Sequence, residues 1–269
     1  MIYLSNMLFL HNLINEKKVS DCIVIIPTYN EKENIKQIIL KVFSLVEDFN
    51  ILIIDDNSPD GTAEIVRGLI PLYKDKLFLV ERVGKLGLGT AYLKGFEWSL
   101  ENHYKYIFEM DADFSHDPND LVRLKQACIE QGADLVIGSR YISGINVINW
   151  PLRRVLMSYF ASVFVRKVTG MRIMDTTAGF ICYRNTVLET LNAENIKMKG
   201  YGFQIEMKFK TWKYGFKVIE IPIIFTDRKE GTSKMTGGIF GEAFSGVIKM
   251  KLASFFRTYK LKPNRKPTN

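Results

Sequence analysis

Five short, β-rich runs limit what this chain can fold into more than anything else in it. They are residues 22–26, 51–54, 77–80, 106–110 and 134–138, and they are largely apolar rather than alternating. A strand reads this way when both of its faces are covered. The stretches between them read as helices. Residues 32–46 carry Ile35, Ile38, Ile39, Val42 and Leu45 at helical spacing. Further helices are expected from Thr62, over 90–100 and over 120–131. Strand and helix alternating at this spacing predict parallel βαβ units with right-handed crossovers. The expected fold class is therefore α/β. In such sheets ligands collect at the carboxyl ends of the strands. Glu31, Asp55, Asp56, Gly87, Asp111, Asp113 and Arg140 all follow strand ends, so they should share one crevice.

Asp111 and Asp113 carry the sharpest chemical signal. They close the apolar run 106–110, and in extended backbone residues i and i+2 point to one side. Both carboxylates can then aim at one point past the strand. Mg²⁺ and similar hard cations take one or two carboxylates and leave other positions to water and phosphates. The competing structural reading is a helix start, with Ser115 or Asp117 as cap before Pro118.

The remaining signals are weaker. Asp55 and Asp56 suit ribose hydroxyls or base edges, or simply a capped polar turn. The segment 84–90, Gly-Lys-Leu-Gly-Leu-Gly-Thr, has the wrong glycine order for a dinucleotide fingerprint and no Lys after its last Gly for a P-loop. It reads as a tight strand-to-helix turn, or as bare backbone that a ligand can approach. The missing fingerprint argues against a dehydrogenase. Arg140 and the Arg153–Arg154 pair are surface charges or phosphate grips, Arg being the preferred bidentate phosphate binder.

The second half is less regular. An apolar helix is expected over 155–165, a strand over 176–183, a helix over 201–212 and a strand over 217–225. With 269 residues, 47% of them apolar and 25% charged, the chain has material for a full core. The net charge of +8 favours anionic partners: phosphates, nucleic acid or an anionic membrane surface. Cys22, Cys128 and Cys182 are too scattered for a metal motif and read as reduced thiols. His11, His103 and His116 form no motif. Residues 1–20 look like an extension without a basic n-region, and no run reaches the roughly 18–20 apolar residues of a membrane span. From Lys249 onward there are seven basic residues and no acidic one. Beside the apolar positions from Ile239 to Phe256, this tail, 236–269, suits an anionic lipid surface.

Seven motifs in order then resemble one family: Ile-Pro-Thr-Tyr-Asn-Glu31, Asp-Asp-Asn-Ser-Pro-Asp-Gly61, Gly-Leu-Gly-Thr-Ala-Tyr92, Met-Asp-Ala-Asp-Phe-Ser-His116, Gly-Ser-Arg-Tyr141, Gly-Tyr-Gly-Phe-Gln-Ile-Glu206 and Asp-Arg-x-x-Gly-x-Ser-Lys234. Over roughly residues 21–235 the chain resembles the polyprenol (dolichol) phosphate mannosyltransferases, in the inverting glycosyltransferase family 2. The resemblance implies a GT-A fold, a Rossmann-like, mostly parallel mixed sheet flanked by helices. It implies GDP-mannose as donor, held by Pro27, Tyr29, Glu31 and Asp56, with Asp55, Gly87 and Ala112 beside them. Asp111 and Asp113 would bind Mg²⁺ or Mn²⁺ through the diphosphate. Ser115 stands where some relatives carry Gln as a third ligand, and is a poorer one. Arg140, Arg154 and Ser158 would grip the phosphate of a polyprenyl acceptor, and Arg228 and Lys234 would close over the donor. Asp113, Arg140 and Arg228 would carry the catalysis. The partners implied are an anionic membrane surface at its cytoplasmic face, separate membrane protein subunits and no nucleic acid. Rival readings keep the fold with UDP-glucose or a saccharide acceptor, or make the chain a non-catalytic scaffold.

Overall fold

Four of the five apolar runs form inner strands because helices cover the sheet on both sides, and the fifth, 77–80, forms an edge strand. In the computed structural model, which describes residues 20–192, 196–198, 200–227 and 238–261, the sheet has seven strands. They are β1 (Cys22–Thr28), β2 (Asn50–Asp55), β3 (Leu77–Glu81), β4 (Tyr106–Glu109), β5 (Leu135–Ser139), β7 (Ile181–Arg184) and β8 (Val218–Pro222). Their order is β3-β2-β1-β4-β7-β5-β8. A short parallel pair lies apart, β6 (Val147–Ile148) with β9 (Phe225–Thr226). Successive residues of β1 alternate between two cores: Ile23 and Ile25 pack on one side, Cys22, Val24 and Ile26 on the other. The first core is closed by α3 (Leu88–Glu101), α5 (Leu152–Thr169), α6 (Asn185–Asn192) and α7 (Tyr201–Lys213). The second is closed by α1 (Ile35–Phe43), α2 (Thr62–Leu69) and α4 (Asp120–Glu130). The last helix is α8 (Gly238–Phe255).

The run of parallel units breaks at one place. β7 is inserted antiparallel between β4 and β5, pairing Glu109 with Ile181 on one side and Ile137 with Ile181 on the other. An antiparallel strand starts where its parallel neighbours finish. The segment entering β7, residues 175–180, therefore crosses the carboxyl edge of the sheet, where the site is expected.

Two helix boundaries differ from the sequence reading for local reasons. The helix expected from residue 32 starts at Ile35, because the Glu31 carbonyl accepts the Asn34 and Ile35 N–H groups in a turn, at 3.0 and 2.9 Å. The helix expected over 155–165 runs to 18 residues. Its flanking Arg and Lys residues are good helix formers, and the limits are set by Pro151 and by Gly170 at φ 81°. No helix among the described residues is long and apolar enough to cross a membrane. The N-terminal extension falls outside the described residues, apart from Ser20, and so do Arg228 and Lys234.

Helix α3 packs closely on β1 because Gly95 has no side chain. A Cβ there would lie 2.7 Å from Cγ2 of Ile25, a branched side chain fixed in the core. Gly95→Ala should gain about 1 kcal/mol of helix propensity and lose about 1–3 kcal/mol to overpacking. The expected outcome is a lower urea midpoint. In an Ile25→Ala background the same change should become neutral or stabilising, and urea titration of both variants checks the coupling.

Candidate active site

The carboxyl edge of the sheet opens into one cavity of about 340 Å³. Pro27, Tyr29, Glu31, Asp56, Gly87, Asp111, Ala112, Asp113, Ser115, Arg140 and Arg154 all line it. Two of the expected residues do not. Asp55 is fully buried behind the wall, accepting hydrogen bonds from Thr28 Oγ1 at 2.8 Å and from Ser58 N and Oγ at 2.8 and 2.7 Å. A carboxylate so occupied stabilises the β1–β2 edge rather than facing a ligand. Ser158 is also outside the lining, its hydroxyl taking a hydrogen bond from Tyr141 OH at 2.7 Å.

The loop after β3 is held by Asp56. Its Oδ1 accepts from Arg82 Nε at 2.5 Å, and its Oδ2 accepts the N–H groups of Leu86 and Gly87 at 3.1 and 3.3 Å. Gly87 needs its glycine because its φ is 98°. Gly89 needs its own for packing: a Cβ would sit 2.9 Å from the Phe203 ring. The bare backbone at Gly89 thus serves a helix-to-helix approach, and only Gly87 serves the cavity. Lys85, from the same turn, lies over the Tyr29 ring at 4.5 Å.

Asp111 is half-exposed and Asp113 buried. The strand has ended before them, and Phe114 adopts a φ of 58°, so Ser115 N–H turns back onto Asp113 Oδ1 at 3.1 Å. The expected cap falls elsewhere: Asp117 Oδ1 accepts Asn119 N–H at 2.9 Å in the turn before α4, and the N-cap position itself is Asn119, which makes no side-chain cap hydrogen bond. No cluster of three His, Cys, Asp or Glu exists among the described residues. Two carboxylates in a cavity that has room for a phosphate ligand suit Mg²⁺ or Mn²⁺, with the other positions left to ligand oxygens and water.

Further residues complete the walls of the site. His116 is buried against Phe180, ring centroids 4.7 Å apart, and its Nδ1 accepts Asp111 N–H at 3.3 Å. Burial pushes its pKa down to about 4, so the ring is neutral with its proton on Nε2. Arg140 is tied to the fully buried Asp175, Nε to Oδ2 and Nη2 to Oδ1, both at 2.7 Å. Its bidentate fork is therefore already occupied inside the protein. Burial alone would raise Asp175, but the Arg140 charge and hydrogen bonds hold it below the usual carboxylate range. Glu220 accepts the Asp175 and Met174 N–H groups at 2.9 and 2.6 Å. Arg154 pairs with Asp227 at 2.8 Å and stacks 4.0 Å over Trp150. Arg154 Nε and Trp150 Nε1 are buried donors with no hydrogen-bond partner among the described residues. Deeper still, burial raises Glu109 to about 8 and lowers Lys208 to about 8.

The model of glycosyl transferase family 2 matches residues 23–191. Among curated proteins, the polyprenol monophosphomannose synthase of Mycolicibacterium smegmatis is 45% identical over 225 residues, covering 84% of each chain. The undecaprenyl-phosphate mannosyltransferase of Micrococcus luteus is 41% identical over 232 residues, 86% of this chain and 94% of that one. Among solved structures, glucosyl-3-phosphoglycerate synthase of Mycobacterium tuberculosis, in complex with Mn²⁺, UDP and glucosyl-3-phosphoglycerate, superposes with a TM-score of 0.58 at 17% identity. That match covers 86% of this chain and 78% of the other. A mannosyltransferase of Pyrobaculum calidifontis in complex with GDP-Man and Mn²⁺ gives 0.54 at 15% identity, over 89% and 75%. At these identities the structural matches show the shared fold.

Removing the partner of a buried charge is costly. Asp175→Ala should destabilise the protein by about 3–5 kcal/mol at neutral pH, read as a lower denaturation midpoint. Because the folded pKa of Asp175 lies below its unfolded value near ~3.9, its contribution is full above that value. It is lost as pH falls through the folded value, so the gap between variant and parent should close in acid.

Proposed function

This chain belongs to glycosyl transferase family 2, and from that premise we propose that it transfers mannose from GDP-mannose to a polyprenyl phosphate, with inversion, at the cytoplasmic face of a membrane. The observation that carries the reading is the joint lining of one cavity: a carboxylate pair, Asp111 and Asp113, together with the buried donors Arg154 Nε and Trp150 Nε1, which have no hydrogen-bond partner among the described residues. The first pair suits a cation on a diphosphate, the second an anionic acceptor. The names of the two curated relatives, one a polyprenol monophosphomannose synthase and one an undecaprenyl-phosphate mannosyltransferase, support the acceptor.

The chain's own residues then divide the work. Tyr29, with Lys85 above it, and Pro27, Glu31 and Gly87 receive the nucleoside, while Asp56 keeps the Gly87 loop in place. Asp111 and Asp113 hold Mg²⁺ or Mn²⁺, which when bound offsets the charge of the leaving diphosphate. Ser115 adds at most a weak contact. The acceptor phosphate needs no general base, because a phosphomonoester has its second pKa near ~6 and is mostly ionised at neutral pH. Its oxygen forms the new bond to the anomeric carbon as the bond to the diphosphate breaks, and that electron pair leaves with GDP. Arg154 and Trp150 orient the acceptor. Arg140 contributes charge more than a fork, since Asp175 holds its Nε and Nη2 edge. Ser158 accepts from Tyr141 and keeps its own O–H as a donor for the acceptor phosphate. Arg228 and Lys234, which the family resemblance would put near the donor, lie outside the described residues.

Membrane contact has a candidate face. Leu152, Leu156 and Phe160 form an exposed stripe at four-residue spacing on α5, which begins beside Arg154. Phe164 of the same helix stacks on Phe244 of α8, ring centroids 4.0 Å apart, and Leu252, Phe255 and Phe256 continue the exposed apolar surface. Apolar area of this kind beside basic residues suits an anionic bilayer.

Incubation with labelled GDP-mannose, polyprenyl phosphate and Mn²⁺ should yield a lipid-soluble mannosyl product, lost on chelation. UDP-glucose in place of GDP-mannose should yield none; the reverse pattern would overturn the donor. Asp113→Ala should abolish transfer while its circular dichroism and melting stay those of the parent; full activity would sink the metal assignment. Leu156→Asp with Phe160→Asp, and separately removal of residues 236–269, should each lower co-sedimentation with anionic liposomes. Unchanged sedimentation would remove that segment from the membrane contact.

A further inference from the structure

The cavity has a neutral polar floor that none of the roles above uses. Tyr92 lines it from α3 and is fully buried, yet its hydroxyl has no hydrogen-bond partner among the described residues. That hydroxyl lies within electrostatic reach of Asp111, Glu109 and Asp113. Its ring is fixed by Phe203, parallel at 6.2 Å. Gln204 lines the same cavity from α7 and is 3% exposed. Its amide has a defined orientation. Nε2 donates to Glu109 Oε2 at 2.6 Å, and Oε1 accepts from Lys208 Nζ at 3.4 Å. Lys208 is held in turn by the Ala178 carbonyl at 2.7 Å. A primary amide carries two N–H donors and two acceptor lone pairs, so one of each remains on Gln204 after these bonds.

The chemistry of this floor selects a ligand class. Phosphate oxygens favour Arg and Lys forks, and the ammonium here is committed to Ala178 and Gln204. A phenol and an oriented amide offer neutral donors and acceptors instead, which match hydroxyl groups. The neighbouring wall residues, Ala91, Ala178, Gly179 and Gly200, are small and leave room for a ring.

We propose that Tyr92 and Gln204 form the subsite that reads the hydroxyls of the donor hexose, with Glu109 and Lys208 as positioning residues that orient the Gln204 amide. The proposal rests on the donor reading above. It assigns the motif ending in Tyr92 and the motif containing Gln204 to sugar selection rather than to nucleotide binding or chemistry.

Calorimetric titration of the full chain with GDP and with GDP-mannose, both in Mn²⁺, separates the possibilities. Tyr92→Phe and Gln204→Leu should each weaken GDP-mannose about 10-fold and leave GDP unchanged. With the unaltered protein, GDP-mannose lacking single sugar hydroxyls should show one position whose loss costs a similar factor. Combined with Tyr92→Phe or Gln204→Leu, that deoxy donor should lose little more, the non-additivity expected of direct partners. A Lys208→Met variant should lose the same discrimination with GDP binding intact. If the unaltered protein binds GDP but every variant and deoxy donor leaves the GDP-mannose to GDP ratio unchanged, the subsite is wrong and the donor reading survives. That result would mean the Tyr92 hydroxyl meets only buried water. If the unaltered protein binds neither nucleotide, the donor reading falls and the subsite with it.

Discussion

Charged groups at the carboxyl edge of the sheet have been withdrawn from water, and the walls of the cavity follow from how each finds a partner. A buried carboxylate or ammonium without one would be neutralised or would unfold its surroundings. Asp56 is met by Arg82 and two backbone N–H groups. Asp175 is met by Arg140, and the backbone beside it by Glu220. Glu109, which burial keeps largely protonated, is joined to Lys208 through Gln204. Each arrangement ties one strand end to a loop or a helix.

The insertion of β7 makes most of this possible. Because it runs against its neighbours, its incoming segment delivers Asp175, Thr177, Ala178 and Gly179 to the same edge as the ends of β4 and β5. An all-parallel sheet would have put a strand's first residues at the opposite edge. The Arg140–Asp175 pair, the Lys208–Ala178 bond and the small-residue wall all depend on that reversal.

Lipid-directed transfer also resolves what would otherwise be an odd inventory. Among the described residues, the one histidine lining the cavity is His116, which is neutral and accepts the Asp111 backbone N–H. It supports the Asp111 loop and need not move a proton, because an ionised phosphate acceptor brings its own nucleophile. The exposed apolar stripe of α5 starts at the helix end that carries Arg154. A lipid headgroup could thus enter the cavity while its chain stays against the surface.

The amino-acid order by itself determined the first five strands, most of the helices and the Asp111–Asp113 pair, whereas the strand read over 176–183 begins only at Ile181. These rest on local rules: apolar runs must be covered, and neighbouring residues share a face or a turn. It also determined the family, through seven motifs met in sequence. It left Asp55 open between a ligand contact and a capped turn, and the fold gives that carboxylate to Thr28 and Ser58; it gave no role to His116, although that residue ends one of the seven motifs, and it missed Trp150 and Lys208, which belong to no short pattern. Only the tertiary structure decided which of two adjacent aspartates faces the cavity, that Arg140 is already held by Asp175, and that Tyr92 and Gln204 meet on one floor. Those outcomes depend on contacts between residues 26 to 95 positions apart. Side-chain periodicity cannot report such contacts, because it records only which face a residue occupies and not what the fold brings against it.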